Sequence, residues 1–201
     1  MSTKKATDWL ESQNSFKLKT QRPSNSKRTD KRAVTISVTS GKGGVGKTSA
    51  AIKSARILSD WGFKVLLVDC DYNLSNTSVK LGVPLNNNFQ DYLNSIKNFD
   101  QCLYKHGQFH LFSGCNGNFD LFENKLELEK IIIDILVNQE AVYDFIILDS
   151  PAGLLKETLV LNAYCDHRFV VVTPDKSSIT DSYSLMKILS GKFGVDRKSV
   201  V

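Results

Sequence analysis

The sequence predicts an α/β fold in which a mostly parallel sheet is flanked by helices in three layers. Strand-like and helix-like segments alternate through residues 33–201, and this alternation is typical of parallel sheets covered on both faces. Two apolar runs, Lys64–Asp69 and Asp144–Asp149, each end in a carboxylate, and their continuous apolar character indicates strands buried on both faces. A glycine-rich loop separates the first predicted strand from the first predicted helix.

The first strand, loop and helix form one unit. The β-branched run Ala33–Thr39 predicts a strand, and Ser49–Trp61 has apolar residues at helical spacing, which predicts a helix that ends at Gly62. Between them, Gly41–Thr48 matches the phosphate-loop spacing. Glycines in such a loop let backbone N–H groups face phosphate oxygens, and the helix N-terminus adds a partial positive charge. The unit therefore predicts a nucleotide-phosphate site, with a glycine turn that binds no ligand as the alternative.

The later elements follow from the same two periodicities. Further strands are expected at Phe109–Phe112 and Arg168–Thr173, the second of them buried. Further helices are expected to end at Val79–Gly82, to run through Phe89, Tyr92 and Leu93, and to occupy Leu121–Val137, Leu154–Tyr164 and Ser178–Leu189. Asn86–Asn88 is expected to cap the second of these helices, and Ser177 or Ser178 the last.

Carboxylates follow two of the predicted strands, at the edge where open α/β sheets bind ligands. Asp69 and Asp71 follow one strand, and Asp149 ends another. A metal-bound nucleotide needs such anionic groups near Mg²⁺, together with a loop lysine and hydroxyl, here Lys47 and Thr48. The alternative is that these carboxylates only cap the helices that follow them.

Lys42, one residue after the first glycine, is a second lysine in the loop. With it, the loop resembles the deviant phosphate-loop ATPases, which include the MinD, ParA, FlhG, nitrogenase iron protein and Mrp-like groups. The resemblance implies that Lys42 crosses a dimer interface to contact the partner's nucleotide. The spacing alone equally allows a solvated lysine beside an anion site.

Three further segments resemble the MinD and FlhG groups: Val68–Asn76 resembles switch I, Asp149–Gly153 resembles switch II, and Thr173–Tyr183 resembles the segment after the fifth core strand. The resemblance covers about residues 33–201. It implies that Asp71 positions the attacking water and that the backbone N–H of Gly153 faces the γ-phosphate.

The resemblance implies ATP and Mg²⁺ as cofactors and a site made of three groups of residues. The catalytic group is Lys42, Lys47 and Asp71. The nucleotide-binding group is Gly41, Lys42, Gly43, Gly44, Val45, Gly46, Lys47, Thr48, Ser49 and Gly153. The Mg²⁺-binding group is Thr48, Asp69 and Asp149.

The positive charge is concentrated at the N-terminus. The net charge is +5, but residues 1–32 hold nine Lys/Arg and three Asp/Glu, whereas residues 33–201 hold seventeen and eighteen. We expect a basic, largely disordered extension at 1–32, with a short helix over Thr7–Phe16, before the domain at 33–201. The extension is expected either to dock on a protein, membrane or nucleic acid, or to be a solubilising leader.

Lys198–Val201 resembles the start of another strand, so the domain is expected to be truncated at its C-terminus.

The cysteines and histidines predict no metal site of their own. The four cysteines, Cys70, Cys102, Cys115 and Cys165, form no CxxC pair, which disfavours a metal-cluster carrier. The three histidines are interpreted as surface or structural residues: His106, His110 and His167. The sequence has no apolar leader and no apolar run of ~18 residues, which predicts a cytoplasmic protein.

Taken together, the resemblance implies a MinD/FlhG-like ATPase with slow, partner-stimulated turnover. Its ATP-dependent homodimer is expected to regulate flagellar number or placement, or another positioning process, and the basic extension resembles FlhG. The implied partners are a second copy, a FlhF-like GTPase or another protein, and the inner face of the membrane as a peripheral contact; nucleic acid is less expected. One alternative is a ParA-type DNA-segregation ATPase. The other is a nucleotide-binding interaction protein with little turnover, because Asn73 stands where these groups usually carry glycine.

Overall fold

The computed structural model describes residues 32–71, 76–84, 88–113 and 128–195. Six strands form one sheet in the spatial order β3-β4-β2-β5-β1-β6. They are β1 (Val34–Thr39), β2 (Val65–Asp69), β3 (Tyr104–His106), β4 (Phe109–Phe112), β5 (Phe145–Asp149) and β6 (His167–Val170). β3 and β4 are antiparallel, and the other neighbouring pairs are parallel. The predicted mostly parallel α/β sheet is confirmed.

Helices connect these strands on both faces of the sheet. They are α1 (Lys47–Asp60), α2 (Asn76–Leu81), α3 (Asn88–Leu93), α4 (Leu128–Gln139), α5 (Lys156–Tyr164) and α6 (Lys176–Phe193), with a 3₁₀ helix at Phe99–Cys102. Several predictions lie outside the described residues: the Thr7–Phe16 helix, the caps at residues 86 and 87, the start of the Leu121–Val137 helix and the Lys198–Val201 strand. None of the described helices is long and apolar enough to span a membrane.

The two faces of the sheet are covered differently. Ala51, Ile52 and Ala55 of α1 pack with Val38 and Leu67 on one face of β1 and β2. On the other face, residues that alternate with this set, Ser37 and Thr39, hydrogen-bond the side chain of Asn162 on α5. α4 packs beside α5, so the sheet lies between two helical layers.

The two strands predicted from continuous apolar runs are central and buried. Every residue of β2 is buried, and so are the last four residues of β5. These strands are neighbours in the middle of the sheet, between β4 and β1. Both faces of the sheet are covered there, which explains why no position on either strand is polar until the terminal aspartate.

The predicted buried strand Arg168–Thr173 is wrong in its bounds and its environment. β6 ends at Val170 and lies at the edge of the sheet, where it pairs with β1 alone. Val172 is largely exposed, and the N–H of Thr173 donates to the Ser178 hydroxyl at 3.1 Å. The valine run has the apolar character of a central strand. Among the described residues, however, no strand pairs with the outer edge of β6.

Two elements differ from the periodicity-based prediction. β3 was not predicted, because its three residues are all exposed and show no apolar alternation; it forms a hairpin with β4 through Gly107. α6 is capped by Asp175, not by the predicted Ser177 or Ser178. The Asp175 carboxylate accepts the Ser178 N–H at 2.9 Å, so the helix begins two residues earlier than its apolar pattern does.

Candidate nucleotide-binding site

The sheet brings the predicted site residues to one edge. β2, β5 and β1 are adjacent, and Asp69 at the end of β2 is the register partner of Asp149 at the end of β5. Asp149 is also the register partner of Val38 on β1, which leads directly into the glycine loop. The parallel register therefore places both carboxylates beside the loop.

The loop has the backbone geometry of an anion site. Gly44 and Gly46 have φ values of 77° and 100°, which favour glycine over residues with a Cβ atom. Gly46 is the N-cap of α1; no side chain caps this helix and its first turn has no acidic residue. The N–H groups at the start of α1 and the helix dipole therefore remain available to a phosphate.

Gly41 is required by packing. A Cβ atom there would lie 2.2 Å from the carbonyl carbon of Asp181 and 2.4 Å from the nitrogen of Ser182. The loop thus begins in direct contact with α6, a role that spacing within the motif did not suggest.

Lys47 points into a partly enclosed, acidic environment. Its burial lowers the pKa of the ammonium group, and Lys80 lowers it further, while the charges of Asp149 and Asp71 raise it. Removal from water and the nearby carboxylates place the Lys47 ammonium group in one electrostatic environment with Asp149 and Asp71.

The Asp149 carboxylate is buried, and its pKa is shifted upward. Burial raises the pKa of Asp149 from 3.8 to about 6, and Asp69 also raises it; Thr48, Lys47 and Thr77 oppose the shift. Its Oδ2 accepts a hydrogen bond from the Thr77 hydroxyl at 3.3 Å. Its Oδ1 is buried without a hydrogen-bond partner.

The unpartnered Oδ1 provides the test of whether Mg²⁺ fits. A buried carboxylate oxygen without a partner carries an uncompensated desolvation cost. Mg²⁺ is typically held by one or two carboxylates and by substrate phosphates, with several waters retained. Asp149 with Asp69 and the Thr48 hydroxyl is such a donor set, so the residues fit the ion.

Asp71 is fixed through its backbone. Its N–H donates to Asp69 Oδ1 at 3.0 Å, so the Asp69 carboxylate holds the backbone of Asp71 in place. The charge of Asp71 acts on Lys47, which brings the side chains of the two predicted catalytic residues into one electrostatic environment. Asn73 lies outside the described residues.

Gly153 follows β5 in a conformation that favours glycine, with φ at 96°. Its N–H donates to the carbonyl oxygen of Ser40 at 3.1 Å. In this conformation the group predicted to face the γ-phosphate already has a partner, so that contact stays a prediction.

Lys42 lies at the outer edge of the loop, with its ammonium group near α6. Its Nζ is 3.2 Å from Asp175 Oδ1 and 2.7 Å from the Ser177 hydroxyl oxygen. Hydrogen bonds from Thr173, the Ser178 backbone, Ser177 and Lys42 hold the pKa of Asp175 well below its usual range. Both side chains are nearly half exposed, so this contact is screened by solvent.

The cysteines and histidines are partly within the described residues. Cys70, Cys102 and Cys165 are buried, and Cys115 lies outside the described residues. His110 Nδ1 lies 2.8 Å from the Tyr143 hydroxyl, inside the fold.

Three contributors were missed by sequence reasoning: Thr77, Asp175 and Ser177. Asp175 and Ser177 lie within the segment Thr173–Tyr183, which resembles MinD-like proteins, and Thr77 directly follows the segment Val68–Asn76. No spacing rule, however, indicates which hydroxyl or carboxylate of such a segment turns toward the loop.

A phosphate loop between the first strand and a helix, with aspartates at the ends of neighbouring strands, defines a P-loop nucleotide-binding protein. Residues 33–190 match a family model described as an AAA domain. The chain belongs to this family, within the deviant phosphate-loop group that contains MinD and ParA, and is close to FlhG-like proteins.

Two relatives and one solved structure illustrate the similarity. The chain is 34% identical over 173 residues to the septum site-determining protein MinD of Helicobacter pylori, covering 84% of this chain and 63% of the relative. It is 33% identical over 165 residues to the flagellum site-determining protein YlxH of the same organism, covering 77% and 53%. The structure of MinD complexed with Mg-ADP from Pyrococcus horikoshii superposes with a TM-score of 0.67 and 28% identity, covering 79% of this chain and 65% of that chain. The chain thus spans less than two thirds of the length of these curated relatives.

Proposed function

We propose that this chain is an ATPase that binds ATP with Mg²⁺, forms an ATP-dependent homodimer and acts in placing a cellular structure such as the flagellum. The observation that carries the proposal is the buried, unpartnered Oδ1 of Asp149 beside Lys47 and the uncapped start of α1. Such a carboxylate is costly in the free protein, and a hydrated cation with phosphate would compensate it.

Different residues of the chain bind the phosphates and the Mg²⁺ ion. The N–H groups of residues 43–48 and the Lys47 ammonium hold the phosphates, and Ser49 extends this contact at the start of α1. Thr48, Asp69 and Asp149 hold Mg²⁺, which when bound neutralises phosphate charge during transfer.

Asp71 acts on the attacking water. Its backbone is held to Asp69, so its carboxylate projects from a fixed point at the end of β2. Lys47 and Lys42 stabilise the negative charge that develops as the bond to the γ-phosphate breaks. The Gly153 N–H joins them after it exchanges the Ser40 carbonyl for the γ-phosphate.

Lys42 supports the dimer. Its partners in the free chain, Asp175 and Ser177, are both solvent-exposed groups on one helix end, so the ammonium group exchanges them for a second nucleotide at low cost. Each subunit would then complete the other's site, and hydrolysis would separate the two.

The cellular role is supported by the names of two relatives. A relative is named for determining flagellum sites and another for determining septum sites. We assign residues 1–32 to a basic extension and residues 33–201 to the ATPase domain, because nine of the Lys/Arg residues lie in the extension. A GTPase of the FlhF type and the inner face of the membrane are the proposed partners, with a cytoplasmic, peripheral location.

Light scattering on the Asp71→Ala variant tests the dimer. With Mg-ATP the solution mass should double, and with Mg-ADP it should remain that of one chain, because the variant binds ATP but cannot position water. The matched control is Asp60→Ala, which changes an exposed aspartate at the end of α1. Its solution mass should double with Mg-ATP and return to that of one chain once the ATP is hydrolysed.

A single-chain mass in both nucleotides would overturn the dimer. DNA affinity separates the ParA alternative: a steep loss of affinity for duplex DNA with rising salt would favour it. The seventeen basic and eighteen acidic residues of 33–201 argue against that outcome.

A further inference from the structure

Thr77 is a fully buried hydroxyl residue on α2, the short helix that follows the Asp71 segment. Its hydroxyl donates to Asp149 Oδ2 at 3.3 Å. The two residues are 72 positions apart in the chain, and the contact joins α2 to the end of β5. No contact of Thr77 follows from the phosphate-loop spacing.

This hydrogen bond makes the two oxygens of Asp149 unequal. Oδ2 accepts from Thr77, whereas Oδ1 is buried and has no hydrogen-bond partner. The Thr48 side chain also hydrogen-bonds this carboxylate. A carboxylate with one oxygen anchored cannot rotate without breaking that bond in a low-dielectric environment, where hydrogen bonds are strong. The Thr77 hydrogen bond therefore helps to determine which oxygen is left for a cation or its bound water.

The next residue offers a natural comparison. Ser78 is also buried and lies on the same short helix, but its hydroxyl pairs with the Ser113 hydroxyl at 3.0 Å, at the end of β4. Two adjacent buried hydroxyls thus hold α2 to two strand ends, and one of them reaches the Mg²⁺-binding group.

We propose that Thr77 is a positioning residue for Mg²⁺: its hydroxyl holds the Asp149 carboxylate in the orientation that receives the ion. The inference rests on the proposed function. The same hydrogen bond joins the helix after Asp71 to the end of β5. Loss of such an outer partner typically lowers metal affinity roughly tenfold or more.

The test measures nucleotide binding as Mg²⁺ is titrated, with a fluorescent ADP analogue as the probe. Thr77→Val preserves shape and removes the hydroxyl, and its half-saturating Mg²⁺ concentration should rise about tenfold. Thr77→Ser should restore the wild-type value to within about threefold, since the donor is kept. Binding measured without Mg²⁺ should be the same in all of these proteins.

Ser78→Ala is the matched control, because it removes a buried hydrogen bond from the same helix without touching Asp149. It should lower the melting temperature while the half-saturating Mg²⁺ concentration stays unchanged. Thr77→Ala is the second hydroxyl-free variant should Thr77→Val fail to fold.

Two results would overturn the inference alone: an unchanged half-saturating Mg²⁺ concentration in Thr77→Val, or an equal rise in Ser78→Ala. A wild-type protein that binds the ADP analogue with no dependence on Mg²⁺ would overturn the proposed function and this inference together.

Discussion

The two lysines of one loop have opposite environments. The inner site, made of Lys47, Asp149 and Thr77, is buried or half-buried and its groups are fixed by the strand ends. The outer rim, made of Lys42, Asp175 and Ser177, is exposed and is held by contacts between side chains in solvent.

This difference changes what the same charge can do. In the inner site, removal from water shifts pKa values, lowering that of Lys47 and raising that of Asp149 to about 6. At the outer rim, water screens the ion pair, so the contact contributes little free energy. The inner site is suited to holding a ligand, and the outer rim to a contact that forms and breaks.

The largest expected effect comes from removing the inner lysine. Lys47→Ala should weaken ATP binding by roughly a hundredfold or more, because a charge-assisted contact to phosphate contributes about 3 kcal/mol. Equilibrium binding of a fluorescent ATP analogue measures it. Lys53→Ala, an exposed lysine on the same helix, is the control and should bind normally. Undiminished affinity in Lys47→Ala would refute the site assignment.

The second effect concerns the stability of the free protein. The folded-state pKa of Asp149 is about 6, above its ordinary 3.8, so ionisation costs more in the folded state. This cost of ionising Asp149 lowers the free energy of unfolding. The cost is absent below about pH 4, grows between about pH 4 and pH 6, and reaches about 3 kcal/mol above about pH 6.

Asp149→Asn removes this ionisation. In urea unfolding, the variant should gain stability relative to wild type between pH 4 and pH 7.5, by up to about 3 kcal/mol. Asp134→Asn, an exposed aspartate on α4, should show no such trend. A stability difference that does not change with pH would mean that Asp149 is not held in a costly ionised state.

The smallest effect on the isolated chain is expected at the outer rim. Lys42→Ala should leave the melting temperature unchanged and ATP affinity within about twofold, because exposed ion pairs contribute little. In the Asp71→Ala background it should nevertheless abolish the ATP-dependent doubling of mass. Lys176→Ala, an exposed lysine beside Asp175, should dimerise normally. If the protein with Lys42→Ala still doubled its mass with ATP, Lys42 would not be required for dimerisation.

Local sequence patterns predicted several elements correctly, because the property that defines each element belongs to residues adjacent in the chain. The continuous apolar runs predicted β2 and β5, since strands covered on both faces bury consecutive side chains. The same argument failed at Arg168–Thr173, where a valine run lies at an edge. It also missed β3, whose pairing with β4 leaves all three of its residues exposed.

The sequence by itself determined the α/β fold, the phosphate loop and the aspartates at the strand ends, because strand burial, glycine backbone freedom and loop spacing are properties of contiguous residues. Only the tertiary structure decided which groups meet across the fold. Thr77 and Asp149 are 72 residues apart, and Lys42 and Asp175 are 133 apart. Such pairs depend on strand order and register, which place distant residues within hydrogen-bonding distance and which no local periodicity encodes.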